Sequence, residues 1–158
     1  MEPNSEITLQ DSLNVTQQID IYASRIQVWQ VLADLTAHNA WNPNFQVEEA
    51  PPHLKVGAQA RLHAAPDTPQ ARVFTIEILE VTELAVLEWQ GGEPGVFQGI
   101  HRFELHEQGP NQTQLVNSES FSGEMAATVL QTSRSGLEQG FAAFNEALKK
   151  RVEAGASQ

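Results

Sequence analysis

One long amphipathic stretch, residues 125–152, constrains the fold of this sequence more than any other feature. Its small and apolar residues recur at steps of three and four, the period of an α-helix, so they share one face. They are Ala126, Leu130, Ser133, Leu137, Phe141, Phe144, Leu148 and Val152. Because most of the stability of a helix in a protein comes from the packing of its apolar face, we expect this face to lie against the rest of the chain.

The chain before this helix consists mainly of segments that alternate apolar and polar residues, the pattern of half-buried β-strands. We predict seven strands, at residues 14–22, 45–49, 58–64, 71–81, 86–90, 98–107 and 113–121. The glycine-rich residues 91–95 are interpreted as a loop, and a hairpin turn is expected at residues 108–111.

Two short helices are predicted between the first and second strands. Ser24 and Gln27 form a capping box that opens the first, which reaches about Asp34. A second helical turn begins at Leu35 and ends before Pro43, because a residue that precedes proline avoids the helical region. Strands in succession with helices set apart indicate the α+β class, here a curved seven-stranded antiparallel sheet around one long C-terminal helix. A space between sheet and helix is a natural ligand site.

The length of 158 residues indicates one domain, which we place at residues 13–152. The polar residues 1–12 and 153–158 are predicted to be flexible tails. The chain contains no cysteine, which excludes a disulfide framework and thiolate chemistry.

Charge and hydropathy limit the classes of binding partner and the cellular compartment that we expect for this chain. The net charge of −11 argues against nucleic acid, because phosphate contacts dominate that affinity. No apolar run is long enough for a membrane span, so membrane insertion is not expected. The N-terminus lacks the basic start and apolar run of a signal peptide, and the default expectation is a cytoplasmic protein. The sequence leaves the oligomeric state open.

The order of several short motifs resembles the START-like superfamily, also called SRPBCC, which includes polyketide cyclase/dehydrase-like proteins. The motifs are Ile19-Asp-Ile-Tyr-Ala-Ser, Val28-Trp-Gln-Val-Leu-Ala-Asp34, Trp41-Asn-Pro43, Leu87-Glu-Trp89, residues 94–105 and residues 118–123. One departure is Ser24, where the family commonly has proline; serine begins the same helix through its cap. The resemblance implies the helix-grip fold, with a ligand cavity between sheet and helix. It does not imply one function, because the superfamily includes lipid and sterol carriers, hormone receptors, cyclases and chaperone regulators.

Strand alternation places one ionisable pair on the inner face of the sheet. His101 shares a face with Phe103 and Leu105 on the sixth strand, and Glu119 shares a face with Leu115, Asn117 and Phe121 on the seventh. If Leu105 lies opposite Leu115, antiparallel pairing puts His101 opposite Glu119. A register shift of two residues would separate the pair.

An imidazole and a carboxyl group in apolar surroundings are suited to general acid–base chemistry, such as dehydration or aldol-type cyclisation. We therefore name His101 and Glu119 as candidate catalytic residues. The alternatives are a purely structural pair, or polar groups that orient a bound ligand.

The remaining predicted ligand contacts are mostly aromatic residues of the inner face, the cavity mouth and the long helix. The full set is Trp41, Phe74, Trp89, His101, Phe103, Asn117, Glu119, Phe121, Leu137 and Phe141. Trp41 is placed at the mouth, where it either closes over a ligand or anchors the turn. The other histidines have no metal-ligand spacing, and neither a metal nor a cofactor is predicted.

Three hypotheses follow from this site. The leading hypothesis is a module that binds one small hydrophobic molecule, such as a lipid, a polyketide-like compound or an aromatic compound. The second is a cyclase or dehydratase that uses His101 and Glu119. The third is an interaction module whose groove takes an apolar segment of a partner protein.

Overall fold

The computed structural model describes residues 13–156 and contains one seven-stranded antiparallel sheet, in the strand order β1-β7-β6-β5-β4-β3-β2. Its strands are β1 (Asn14–Ile21), β2 (Phe45–Glu49), β3 (Gln59–Ala64), β4 (Arg72–Thr82), β5 (Val86–Glu93), β6 (Phe97–Gly109) and β7 (Gln112–Ser122). Consecutive strands pair with each other from β2 to β7, and β1 pairs with β7, which confirms the predicted α+β class with helices set apart from the strands.

Within the described residues, three helices accompany the sheet: α1 (Arg25–Leu32), a 3₁₀ helix (Leu35–Ala40) and the long α2 (Ala126–Ala156). The predicted capping box is present, because the Gln27 backbone N–H donates to Ser24 Oγ at 3.2 Å and the Ser24 N–H donates to Gln27 Oε1 at 3.0 Å. Among the described residues, no helix is long and apolar enough to cross a membrane.

The long helix continues past the predicted end at residue 152 to Ala156. Four residues of the predicted C-terminal tail are therefore helical, and Glu153 in this last turn accepts a hydrogen bond from the Tyr22 backbone N–H at 2.8 Å. The predicted tail at residues 1–12, together with residues 157–158, lies outside the described residues.

The interpretation of residues 91–95 as a loop is wrong for its first three positions. Gly91 and Gly92 continue β5 and pair with Gly99 and Gln98 of β6, so the turn is confined to residues 94–96. Glycine suits this end of the strand because Gly92 has φ +99°, and a Cβ there would overlap the Phe97 carbonyl oxygen.

The core between the sheet and α2 has two parts. The main cluster contains Phe103, Leu105 and Leu115 of the sheet with Phe144, Leu148 and Val152 of the helix, and it extends to α1 and the 3₁₀ helix. The minor cluster contains Val15, Phe121, Ala126, Leu130 and Phe141, and it lies beside the start of α2. The buried faces of sheet and helix are those that the alternation and the helical period predict.

The β6–β7 hairpin has the predicted register. Leu105 pairs with Leu115, Phe103 with Asn117, and His101 with Glu119. The one irregularity is a bulge next to the turn, between Glu107 and Gly109, which leaves the pairing of the inner residues unchanged.

Candidate site at the His101–Glu119 pair

The sheet brings His101 of β6 and Glu119 of β7 together on its inner face. His101 Nδ1 lies 3.6 Å from Glu119 Oε1, and the two side chains are 13% and 19% exposed. The pair is therefore largely withdrawn from water and yet keeps some contact with it. The two groups are thus close enough to interact electrostatically, although 3.6 Å is longer than a hydrogen bond.

Aromatic rings hold the imidazole of His101 on several sides. Its ring stacks on Phe103 at a centroid distance of 4.6 Å, and it lies 4.9 Å from the Phe141 ring and 5.7 Å from that of Trp89. Since Phe103 and Trp89 are almost fully buried, they support the imidazole from within the core.

The second ring nitrogen of His101 is bound to a buried side-chain amide. His101 Nε2 lies 2.6 Å from Asn117 Oδ1, and Asn117 Nδ2 donates to Asn145 Oδ1 at 3.0 Å. Asn145 in turn donates through Nδ2 to the backbone carbonyl of Gln17 on β1 at 3.3 Å. We call the side chains of Asn117 and Asn145 the amide relay; both are 1% exposed.

Sequence interpretation missed Asn145. It lies four residues after Phe141 and three before Leu148, so it occupies the buried face of α2 at the same helical steps as its apolar neighbours. A polar residue at such a step signals a buried hydrogen-bonding partner, because buried polar groups are almost always paired.

The Glu119 carboxylate occupies space that is free because Gly99 has no side chain. A Cβ on Gly99 would overlap the Glu119 carboxylate and would lie 3.2 Å from the Phe121 ring. Burial raises the pKa of the Glu119 carboxyl group, while the positive charges of His101 and Arg72 act in the opposite direction. The raised pKa favours the neutral, hydrogen-bond-donating form of this group.

Several of the other predicted contacts lie around the pair. Phe121 is buried and stacks on Phe97 at 5.3 Å, and Leu137 is half-buried beside the minor cluster. Phe74 is half-buried on β4, and its ring lies beneath the Arg72 guanidinium. A Cβ on Gly91 would lie 3.5 Å from this ring.

Trp41 occupies a different place. Its indole packs against His38 at 4.6 Å and against Phe144 at 5.2 Å, and Phe144 links it to Phe103 beneath the pair. Its Nε1 is buried without a hydrogen-bond partner. In this arrangement Trp41 connects the 3₁₀ helix to α2, and its role as a ligand contact stays a prediction.

Two surface grooves lie away from the pair. The first, of about 260 Å³, is lined by α1, the 3₁₀ helix and the Pro51–Pro52 segment, with Leu54 among its residues. The second, of about 430 Å³, lies on the outer face around Arg102. Neither contains a predicted contact residue, and within residues 13–156 no three or more His, Asp or Glu side chains are grouped to hold a metal ion.

Residues 12–153 match the family model described as "Polyketide cyclase / dehydrase and lipid transport". The chain belongs to this family. Membership confirms the predicted resemblance and supports a role in ligand binding or in cyclase-type chemistry. No curated protein matches the sequence.

Solved structures share the fold of this family member at low sequence identity. The Zhui aromatase/cyclase from Streptomyces sp. R1128 is 19% identical with a TM-score of 0.71, over 89% of this chain and 93% of that one. The hypothetical protein jhp0584 from Helicobacter pylori is 16% identical with a TM-score of 0.73, over 96% and 95%. DynU16, a putative protein in the dynemicin biosynthetic locus, is 20% identical with a TM-score of 0.69, over 90% of this chain and 48% of that one. These similarities establish the helix-grip architecture.

Proposed function

We propose that this protein binds a small hydrophobic molecule, such as a lipid, a polyketide-like compound or an aromatic compound, between the sheet and α2. The polar group of the ligand contacts Glu119, the more exposed member of the pair. The apolar part lies against the aromatic side chains of the minor cluster and the half-buried Leu137.

The observation that carries this proposal is one partly exposed carboxyl–imidazole pair set among aromatic side chains. Ligand sites of this kind combine a mainly apolar lining with a few polar groups that fix the ligand's orientation. His101 and Glu119 supply those polar groups, and Phe121 and Phe141 supply apolar surface next to them. Because His101 and Glu119 are only 13% and 19% exposed, we expect a ligand that contacts them to displace some of the minor cluster when it enters.

The first test is native mass spectrometry of the protein as purified, which detects a ligand carried through purification. The second is titration with an environment-sensitive apolar dye. We expect one-to-one binding, and we expect Leu137→Trp to weaken it at least tenfold, because a larger side chain there occupies the ligand's space.

Leu54→Trp is the matched control for this titration. Leu54 is also a half-buried leucine, but it lines the groove at the Pro51–Pro52 segment. Unchanged dye binding in Leu54→Trp and loss in Leu137→Trp support the site at the pair. The reverse pattern would place the ligand in the surface groove, and equal binding in both variants would contradict the proposal.

A second candidate function is a cyclase or dehydratase reaction, and the geometry of the pair favours it specifically. A carboxyl group with a raised pKa, 3.6 Å from an imidazole nitrogen, is arranged for proton transfer to or from a ligand. Burial and charge partners produce such pairs in structural roles as well, so the binding function remains the primary proposal.

Glu119→Gln separates the two functions because it keeps the side-chain volume and removes the titratable group. For the binding protein, we expect no turnover of a cyclisable or dehydratable substrate, and a modest change in dye affinity from the altered hydrogen bond. Turnover by the native protein that falls about 10²–10⁴-fold in Glu119→Gln, with dye affinity retained, would establish the enzyme instead. Glu93→Gln, at an exposed position on β5, serves as the control.

A further inference from the structure

We propose that Asn117 and Asn145 are positioning residues that fix which nitrogen of His101 carries the proton, so that Nε2 is always protonated and Nδ1 faces Glu119 as the exchangeable site. This inference concerns the pair itself and holds for any ligand. It follows from the direction of the hydrogen bonds that run from β1 through the amide relay to His101.

The direction of these hydrogen bonds is set by a group that can only accept. The Gln17 backbone carbonyl accepts hydrogen bonds and cannot donate them, so Asn145 must present its NH₂ group to it. The oxygen of the Asn145 amide then faces Asn117, which must present its own NH₂ group in return. Each amide orientation is thereby set by its neighbour, and neither is free to flip without losing a buried hydrogen bond.

The last hydrogen bond of the series joins Asn117 to the His101 imidazole. With its NH₂ group committed to Asn145, Asn117 presents its oxygen to His101 Nε2 at 2.6 Å, and an oxygen acceptor requires a protonated Nε2. In the neutral imidazole the other nitrogen, Nδ1, then carries a lone pair. A backbone carbonyl on β1 thus determines the tautomer of a histidine on β6.

This tautomer has a consequence for Glu119. A lone pair on Nδ1 and an ionised carboxylate both accept, so these two groups, 3.6 Å apart, can approach to form a hydrogen bond only when one of them carries a proton. The charged groups that act on Glu119 are His101 of β6 and Arg72 of β4, and burial favours its protonated form. The relay therefore leaves His101 Nδ1 and the Glu119 carboxyl group as the two positions on which an exchangeable proton can lie.

Nitrogen NMR of protein labelled with ¹⁵N at histidine tests the inference directly on the native chain. We expect His101 Nε2 to remain protonated across the pH titration while only Nδ1 gains and loses a proton. A neutral ring with the proton on Nδ1 would overturn the proposal, and this measurement requires no variant.

Asn145→Leu tests the role of the relay. Without the Asn145 oxygen, the Asn117 amide is free to turn and present its NH₂ group to His101, so we expect a mixture of the two neutral tautomers. The titration midpoint of Glu119, followed by carboxyl ¹³C NMR, should fall, because a protonated Nδ1 can donate to the carboxylate. A native-like tautomer in a folded Asn145→Leu protein would contradict the role of the relay.

Asn44→Ala is the matched control. The Asn44 side-chain amide also binds α2, where it donates to the Gly140 carbonyl at 2.7 Å, but it belongs to a different set of contacts. We expect Asn44→Ala to leave the His101 tautomer unchanged. If it shifts the tautomer as much as Asn145→Leu does, a general loosening of the helix explains the effect and the proposal fails.

Discussion

Replacing Phe144 with alanine is expected to lower the free energy of unfolding by about 3–5 kcal/mol, the usual cost of removing a buried phenylalanine ring. Phe144 is 2% exposed, and its ring lies 5.3 Å from Phe103 and 5.2 Å from Trp41. It therefore joins α2 to the sheet and to the 3₁₀ helix at once, and its loss leaves a cavity that rigid elements border on several sides.

Urea unfolding measures this cost, provided that the slope of the transition is unchanged. Phe97→Ala is a suitable control, because Phe97 is half-buried and stacks mainly on Phe121. We expect a clearly smaller cost for Phe97→Ala. A cost below about 1 kcal/mol for Phe144→Ala would mean that α2 packs differently from the arrangement described.

Acid is expected to destabilise the protein through His38, with the effect developing between pH 6.5 and 4. His38 is fully buried in the 3₁₀ helix, where Nε2 donates to the Leu32 carbonyl at 2.8 Å and Nδ1 accepts from Asn42. Burial lowers its pKa from 6.5 to about 4. Between these two pH values, His38 is protonated in the unfolded chain and neutral in the folded chain. The contribution of His38 to the free energy of unfolding is therefore complete above pH 6.5 and is lost as the pH falls towards 4. The loss amounts to about 3 kcal/mol.

Other titrating groups can be distinguished from His38 by their direction or their pH range. Hydrogen bonds lower the pKa of Glu104, whose contribution is therefore lost only below its ordinary value of 4.5. The raised pKa of Glu119 acts in the opposite direction, because a carboxyl group of this kind stabilises the fold as the pH falls.

Denaturant unfolding of the native protein and of His38→Gln at several pH values measures the contribution of His38. We expect the difference in unfolding free energy between the two proteins to shrink as the pH falls from 6.5 to 4. His53→Gln, which changes an exposed histidine, is the control and should follow the native curve. A constant difference between native and His38→Gln over this range would show that His38 is not held neutral.

Local patterns predicted much of the fold, because each depends on a rule that acts over a few residues. Alternation on β6 and β7 placed His101 and Glu119 on the inner face, and their pairing followed once Leu105 was assumed to lie opposite Leu115, which is the register observed. Ser24 and Gln27 predicted the start of α1, since a capping box needs only neighbours three residues apart.

The parts that could not be predicted depend on contacts between distant elements. Asn145 meets Asn117 across 28 positions of sequence, and no local rule shows which strand a helical residue faces. Composition suggested a loop at residues 91–95, whereas cross-strand pairing with β6 extends β5 through the first three of these residues. In both cases the structure depends on a contact with another element rather than on the local sequence.

The amide relay also lies close to both apolar clusters of the interior. On β1, Gln17 lies between Val15 of the minor cluster and Ile19, which packs on the main cluster; on α2, Asn145 follows Phe141 and precedes Leu148. The minor and main clusters form two separate groups of buried side chains, and His101 lies between Phe141 of the first and Phe103 of the second. Segments with fewer buried apolar contacts open at lower free energy than the rest of a structure. If the proposed ligand binds here, we expect the minor cluster beside Glu119 to open at a lower free energy than the main cluster, in which Phe103, Phe144 and Leu148 keep the sheet and helix together.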